Sequence, residues 1–434
     1  MENFIIQGGH KLQGDIEVKG AKNATTPILA ATVLIQGECI LHNVPRISDV
    51  ETMLSIIKSM GGAAEWFADN SLRINCTDID PTKIDLKLVK KIRSSILFMG
   101  CLAQRFGKFS MPLPGGCNIG SRPLDAHFDA LRNLGYRCTL KNDLYTIERT
   151  TQPSKELVMS EFSVTATENV ILASVIGDNK LTIKCCAAEH IVQDLCWFLN
   201  SAGAKIQGIA SHTLQISGVS KLHGVEFTVM PDPIEMGTFI ALGAVMQSPI
   251  RICNAAPEFL SLELRKFADA GVKIDFENIR SDALGKYQLA TILPRKLHML
   301  KALKKVHTMP YPGFAADLIQ PFTLLMTQAQ GITLIHDWMF DGRLRYVTEL
   351  QKMGANITIL DPHRITVMGP TPLYATEITS YDLRAGATLV LAGLLANGET
   401  TIKGIEQVDR GYEKLDERLS KLGARIKRAV NKND

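Results

Sequence analysis

ATLVLAGLLAN, residues 387–397, runs for eleven positions without a charge, and its small residues are interleaved with leucine and valine. A helix that is apolar on every side has to be buried on every side, so this segment belongs to an interior. Five further stretches read the same way: TPILAATVLI (26–35), SSILFMGCLAQ (94–104), ATENVILASVIG (166–177), GTFIALGAVM (237–246) and PFTLLMTQAQ (321–330). Short strands such as ECILHNV, KLTIKCC and ETTIKGI follow them. A second, amphipathic helix then ends in a glycine that opens another strand, in IIKSMGGAAEW, ALRNLGYRCTL, FLNSAGAKIQG, KFADAGVKIDF, ELQKMGANITI and RLSKLGARIKR. Gly61, Gly135, Gly203, Gly271, Gly354 and Gly423 are candidate helix C′ positions, and their recurrence every 70 residues or so, with one gap nearer 80, is the mark of a duplicated unit.

Six units with buried helices predict an α/β protein of inverted layering, a two-domain inside-out α/β barrel with three repeats per domain and the sheets outside. The 434 residues are too many for one compact core. The expected domains are 22–230, and 1–21 joined with 231–428, the crossings falling near Lys22 and near the MPDP segment. Two crossings make a hinge, and a cleft closing there would exclude water. The basic end KLGARIKRAVNKND is expected to fray, with 429–434 as a tail.

Composition excludes several classes. A net charge of +4 over 92 acidic and basic side chains gives no concentrated basic surface, so no nucleic-acid partner is expected. The longest apolar runs fall short of the roughly 20 residues needed to cross a bilayer, and the N-terminus lacks a basic region followed by a long apolar stretch, so the expectation is a soluble, cytoplasmic protein with no membrane partner. Nine cysteines, odd in number and without a C-x-x-C pair, read as reduced thiols. No His-Glu-x-x-His, Walker loop, dinucleotide fingerprint or nucleophile elbow occurs, so neither a metal nor a cofactor is expected.

One loop carries chemistry. LPGGCNIGSRPLDAH, residues 113–127, sets Cys117 between the pair Gly115-Gly116 and Arg122, which Pro123 follows. The glycines would let a ligand approach the backbone, the guanidinium offers a fork for phosphate or carboxylate, and a thiol near that charge ionises more readily. The competing reading is a buried structural cysteine. Elsewhere Lys22 and Asn23 open a buried helix whose N-terminus favours anions, although a solvated lysine is the plainer account. Arg384 in YDLRAGATLVLAG, Arg410 beside Asp409 in QVDRGYE, Arg343 in MFDGRLRYV and Arg93 in KKIRSSILF each read singly as solvated, but collectively as cations projected from repeated units. Asp317 in YPGFAADLIQPF is either an N-cap or a group that takes a proton from a substrate hydroxyl.

Taken with GAKNAT (20–25), NVPRISDVETM (43–53), PDPIEMGTF (231–239), YPGFAAD, DLRAGATLVLAG and VDRGYE, these residues make the chain resemble the enolpyruvyl transferases nearly end to end. The resemblance implies a metal-free reaction of phosphoenolpyruvate with a UDP-sugar by a monomeric enzyme. The enolpyruvyl group passes to the 3′-hydroxyl of UDP-N-acetylglucosamine, the first committed step of peptidoglycan synthesis. It implies Cys117 as proton donor and fosfomycin target. Lys22, Arg122, Arg343, Arg384 and Arg410 become anion-binding residues, and Asp317 the carboxylate that deprotonates the sugar hydroxyl. Asn23, Arg93, the segment Arg122, Pro123, Leu124 and Asp125, together with Ser163, Val164, Asp317 and Met339, match positions that bind the nucleotide sugar.

The sequence departs from the family at several places. The Ser-Val-Gly-Ala-Thr loop is here Ser163-Val164-Thr165-Ala166-Thr167, and a lysine that contacts the diphosphate is replaced by Glu161 or Phe162. Phe-Glu-Asn-Arg becomes Phe340-Asp341-Gly342-Arg343, and Ala188-Glu189-His190-Ile191 lacks the usual Pro-Glu. A negative or apolar residue in place of the lysine should weaken diphosphate binding. Open alternatives are another nucleotide, another nucleotide sugar or shikimate 3-phosphate as acceptor, and a non-catalytic nucleotide-sugar binding paralogue.

Overall fold

The structure is a computed structural model that describes residues 2–115, 123–151, 154–296 and 299–430. Contacts divide the chain into two compact units: residues up to Lys19 together with those from Pro231 onward, and the described residues from Gly20 to Met230.

In the unit that holds both chain ends, three apolar helices, Pro233–Met246, Ile319–Thr327 and Leu383–Leu395, form the interior. Every residue of Pro233–Met246 except the last is buried. Gly243 permits that packing, since a Cβ there would stand 2.6 Å from the Pro294 ring. Three four-stranded sheets cover these helices, and each pairs an edge strand in parallel with a neighbour that continues through two antiparallel pairings. One runs Lys305–His307, Gly331–His336, Arg364–Gly369, Ile357–Asp361. Another runs Glu377–Thr379, Glu399–Lys403, Glu2–Gln7, Arg425–Val430, so the first strand of the chain fills the third place in a sheet otherwise made from its last residues. Gly14–Glu17 likewise supplies the parallel edge beside Ile250–Ala255. Alternation decides this exchange: Phe4 and Ile6 are fully buried in the core while Ile5 and Gln7 are partly exposed.

The other unit repeats the plan around Lys22–Ala31, Phe98–Phe106 and Val164–Leu172. Two of its sheets have the same four-strand order, and a third has three strands, Lys108–Pro112, Leu144–Arg149 and Tyr136–Lys141. Burial of the apolar helices beneath sheets is thus realised in both units.

All six repeat glycines have positive φ, from 84° to 102°. After helix Ser48–Ser59, the Gly61 amide donates to the Lys58 carbonyl and the Gly62 amide to the Ile57 carbonyl, the paired closure that a left-handed residue makes possible. Equivalent turns follow His190–Ser201, Tyr346–Lys352 and Leu415–Lys421.

The expected frayed end is corrected as far as Val430. Arg425–Val430 pairs in register with Glu2–Gln7, and Arg428 binds Asp409 at 2.6 Å and Asp416 at 2.9 Å. A strand fixed by a neighbouring strand on one side and two carboxylates does not fray; residues 431–434 lie outside the described residues. No helix is long and apolar enough to cross a membrane among the described residues.

Candidate active site

Asp317 lies in a short 3₁₀ turn, Ala316–Leu318, that leads into the buried helix Ile319–Thr327. It is not an N-cap. The helix has no side-chain cap, and both carboxylate oxygens turn to guanidiniums instead: Arg343 Nη2 donates to Oδ1 at 2.5 Å and Arg384 Nε to Oδ2 at 3.1 Å. Arg343 opens the 3₁₀ turn Arg343–Arg345, which Gly342 enters with φ of 67°, and its guanidinium lies over the Phe340 ring at 4.3 Å. Arg384 stands in the first turn of helix Leu383–Leu395, where Asp382 caps the amides of Arg384 and Ala385. Its Nη2 also reaches Asp232 Oδ2 at 3.3 Å, and Asp232 in turn caps Ile234, with Pro233 fixing the first helical position.

Both arginines are almost wholly buried, at 5% and 3% exposure, while about a quarter of the Asp317 side chain, 24%, meets solvent. Burial by itself would raise the Asp317 carboxyl; the charges of Arg343 and Arg384 outweigh it and hold the group well below the usual carboxylate range. Asp337, fully buried, and Asp382 go the other way, because burial raises both more than the Arg343 charge lowers them. Among the described residues three donors of this cluster have no hydrogen-bond partner: Arg343 Nε and Nη1, and Arg384 Nη1. Charged N–H groups left without a partner in an interior are costly, and an anion is the chemical class that would satisfy them.

In the other unit Lys22 is not a solvated cap. It is the first residue of Lys22–Ala31, and its ammonium binds Asp49 at 2.6 Å, with only 13% and 4% of the two side chains exposed. Asn23 and Pro123 are exposed, as is Asp125, which begins helix Asp125–Asn133, and Leu124 is buried. Arg93 is half-buried at the start of the turn Arg93–Leu97. Arg93 and Arg343 therefore both open 3₁₀ turns, but the first leads into a core helix and the second into an amphipathic one, so they are not repeats of one position. Ser163 and Val164 are partly exposed at the start of Val164–Leu172. Met339 is half-buried, and Arg410 ends the turn Ile405–Arg410, reaching Gln407 at 3.3 Å. Cys117 and Arg122 lie outside the described residues.

Gly115 has a different role from the one its sequence suggests. A Cβ on it would fall 1.7 Å from the Lys90 carbonyl oxygen, so its bareness serves the packing of its own backbone. The departure at Thr165 also finds a place: its hydroxyl lies 3.1 Å from Nε2 of buried His127, and Asn169 holds the other ring nitrogen at 3.1 Å. Phe162 packs edge-on against His212 and Glu161 is exposed, so neither restores the missing cation. Sequence reasoning passed over Asp49, Asp232, Asp337 and Asp382. The Asp-x-Arg and Asp-Pro spacings at two helix starts were legible signals for Asp382 and Asp232. Nothing local marks Asp337. Among the described residues no group of three or more His, Cys, Asp or Glu is placed to hold a metal ion.

The family described as EPSP synthase (3-phosphoshikimate 1-carboxyvinyltransferase) matches residues 6–419. The chain belongs to this family of enolpyruvyl transferases. It is 38% identical to the UDP-N-acetylglucosamine 1-carboxyvinyltransferase of Treponema denticola, over 98% of this chain and 99% of that one. It is 39% identical to the enzyme of the same name in Bradyrhizobium diazoefficiens, over 98% and 97%. Among solved structures, the enolpyruvyl transferase NikO from Streptomyces tendae superposes with a TM-score of 0.87 at 23% identity, covering 99% of each chain. EPSP synthase from Acinetobacter baumannii superposes at 0.75 and 17%, covering 99% of this chain and 100% of that one. At those identities the structures speak to the fold, which is that of the two-domain enolpyruvyl transferases. This enolpyruvyl transferase is an enzyme of carboxyvinyl transfer.

Proposed function

We propose that the enzyme transfers the enolpyruvyl group of phosphoenolpyruvate to the 3′-hydroxyl of UDP-N-acetylglucosamine and releases phosphate, in the cytoplasm, as the first committed step of peptidoglycan synthesis. The observation that carries this reading is 38% identity over 98% of the chain to a relative bearing that activity in its name. The chemistry of the arginine cluster supports it. Phosphoenolpyruvate brings a phosphate and a carboxylate, and two buried guanidiniums with bare donors suit both.

In this reading the Cys117 thiol protonates the methylene carbon of phosphoenolpyruvate, and the 3′-hydroxyl adds to the adjacent carbon while its proton passes to Asp317. Loss of a methyl proton and of phosphate then restores the double bond in the product. Lys22, Arg122, Arg343, Arg384 and Arg410 hold the donor's negative groups. Asn23, Arg93, Pro123, Leu124, Asp125, Ser163, Val164 and Met339 serve the nucleotide sugar. One observation favours a second reading, in which the acceptor is another nucleotide or nucleotide sugar: an exposed Glu161 or Phe162 stands where the family keeps a lysine for the diphosphate.

Phosphate release from phosphoenolpyruvate, measured with UDP-N-acetylglucosamine, other UDP-sugars, UMP and shikimate 3-phosphate, decides between them. Activity confined to UDP-N-acetylglucosamine is expected. Turnover with UMP or another nucleotide alone would replace the assignment.

A further inference from the structure

We propose that Asp317 is an internal counter-anion, which the anionic donor has to draw off Arg343 and Arg384 before the carboxylate can act as a base. The proposal rests on the enolpyruvyl-transfer reading above. Its ground is the asymmetry of the cluster. The arginines cannot move aside: they are 5% and 3% exposed, Phe340 lies under one guanidinium and Tyr412 under the other, and Asp232 holds Arg384 from behind at 3.3 Å. Asp317 is the partner that solvent reaches, and it sits on a three-residue turn that follows a Pro-Gly pair. Both of its oxygens are engaged by the guanidiniums. Among the described residues Arg343 Nε and Nη1 and Arg384 Nη1 find no hydrogen-bond partner, so Asp317 does not use up the donors of the two cations.

A carboxylate shared by two guanidiniums is a poor proton acceptor, because protonating it discards both pairings. An arriving dianion competes for those cations, and the carboxylate it releases regains ordinary basicity. The base is therefore dormant until the donor is bound. Once it is free, the sugar oxygen forms its bond to the central carbon of phosphoenolpyruvate and gives its proton to Asp317. The electron pair of the carbon–carbon double bond takes the proton delivered at the methylene end.

The test is binding of inorganic phosphate to the native enzyme and to Asp317→Asn, by calorimetry at neutral pH. Removing a competing charge should tighten phosphate by about tenfold, within the range of coupling seen for close charge pairs. In steady state the same variant should lose about a hundredfold or more in kcat while its KM for phosphoenolpyruvate falls. If the carboxylate only braced the arginines, its loss would weaken phosphate and raise that KM, and either result overturns the proposal, as does unchanged binding. A second measurement needs no variant: with aspartate labelled at Cγ, phosphate should shift a carboxylate resonance of the native enzyme, and a spectrum that stays still refutes displacement. Phosphate binding needs no acceptor, so a wrong sugar in the functional reading would leave this outcome untouched.

Discussion

Replacing Arg384 with methionine removes the charge that buried Asp232 and half-buried Asp317 share. The side chain is 3% exposed, so methionine fills most of the space without bringing a new polar group inside. Breaking a buried ion pair from one side costs about 3–5 kcal/mol, because the abandoned charge stays in the interior. Here the low end applies. Asp317 retains Arg343 at 2.5 Å, and Asp232 retains the Ile234 amide at 2.8 Å, so neither carboxylate is stripped of every partner. The expected loss is about 3 kcal/mol at neutral pH. Urea unfolding of the native enzyme and of Arg384→Met at several pH values measures it. The folded-state pKa of Asp317 is depressed, so its pairing contributes fully above the unfolded carboxylate pKa and is lost as pH falls through the folded value. The difference between the two proteins should therefore stay level from neutral pH down to about 4, the unfolded value, and shrink only below it. A loss under about 1 kcal/mol, the size of an exposed pair, would refute the argument. So would a difference that vanishes already at pH 6.

Intact-protein mass spectrometry should find one fosfomycin adduct, at Cys117, formed faster with UDP-N-acetylglucosamine present, and Cys117→Ser should nearly abolish turnover; no adduct where a positive control reacts would remove the proposed proton donor. Burial pushes the Cys39 thiol up to about 12 and those of Cys76 and Cys186 to about 11, while Cys185 is exposed, so iodoacetamide at neutral pH should modify Cys185 well before these three. Gly115→Ala should cost more than about 2 kcal/mol in unfolding experiments, since its Cβ would overlap the Lys90 carbonyl oxygen and the backbone would have to shift; a change under 0.5 kcal/mol, typical of surface substitutions at about that size, would show that the contact yields freely. Glu263, 2% exposed, is raised by burial to about 7 despite accepting the Ala315 amide, so the folded protein keeps its proton where the unfolded chain gives it up. Stability should fall as pH rises from about 4.5 to about 7, by roughly 3 kcal/mol at about 1.4 per pH unit, and Glu263→Gln should flatten that slope; a parallel slope in the variant would disprove the assignment.

The layering of the fold was legible because its causes are local. A run such as GTFIALGAVM tells its own environment, and a glycine after an amphipathic helix names its own backbone conformation, so the six positive-φ glycines stand where periodicity put them. The C-terminal end was misread for the converse reason. The repeat announces a strand after Gly423, but the basic composition of RIKRAV suggests fraying, and the partner that holds it, Glu2–Gln7, lies at the opposite end of the chain.

Residue types at the site were likewise readable, and their pairings were not. Asp317 looked like a helix cap because aspartate before a helix usually is one; its actual partners lie 26 and 67 residues further on. Lys22 looked solvated because nothing near it in sequence announces Asp49. Gly115 looked like space for a ligand until Lys90 occupied it. The sequence by itself determined which segments are interior, where the helices stop and which cations are available, since those follow from side-chain polarity and backbone freedom one turn at a time. Only the tertiary structure decided which carboxylate each arginine meets and which of their N–H groups stay bare, because electrostatic pairing in an interior depends on distances set by packing among elements far apart in the chain.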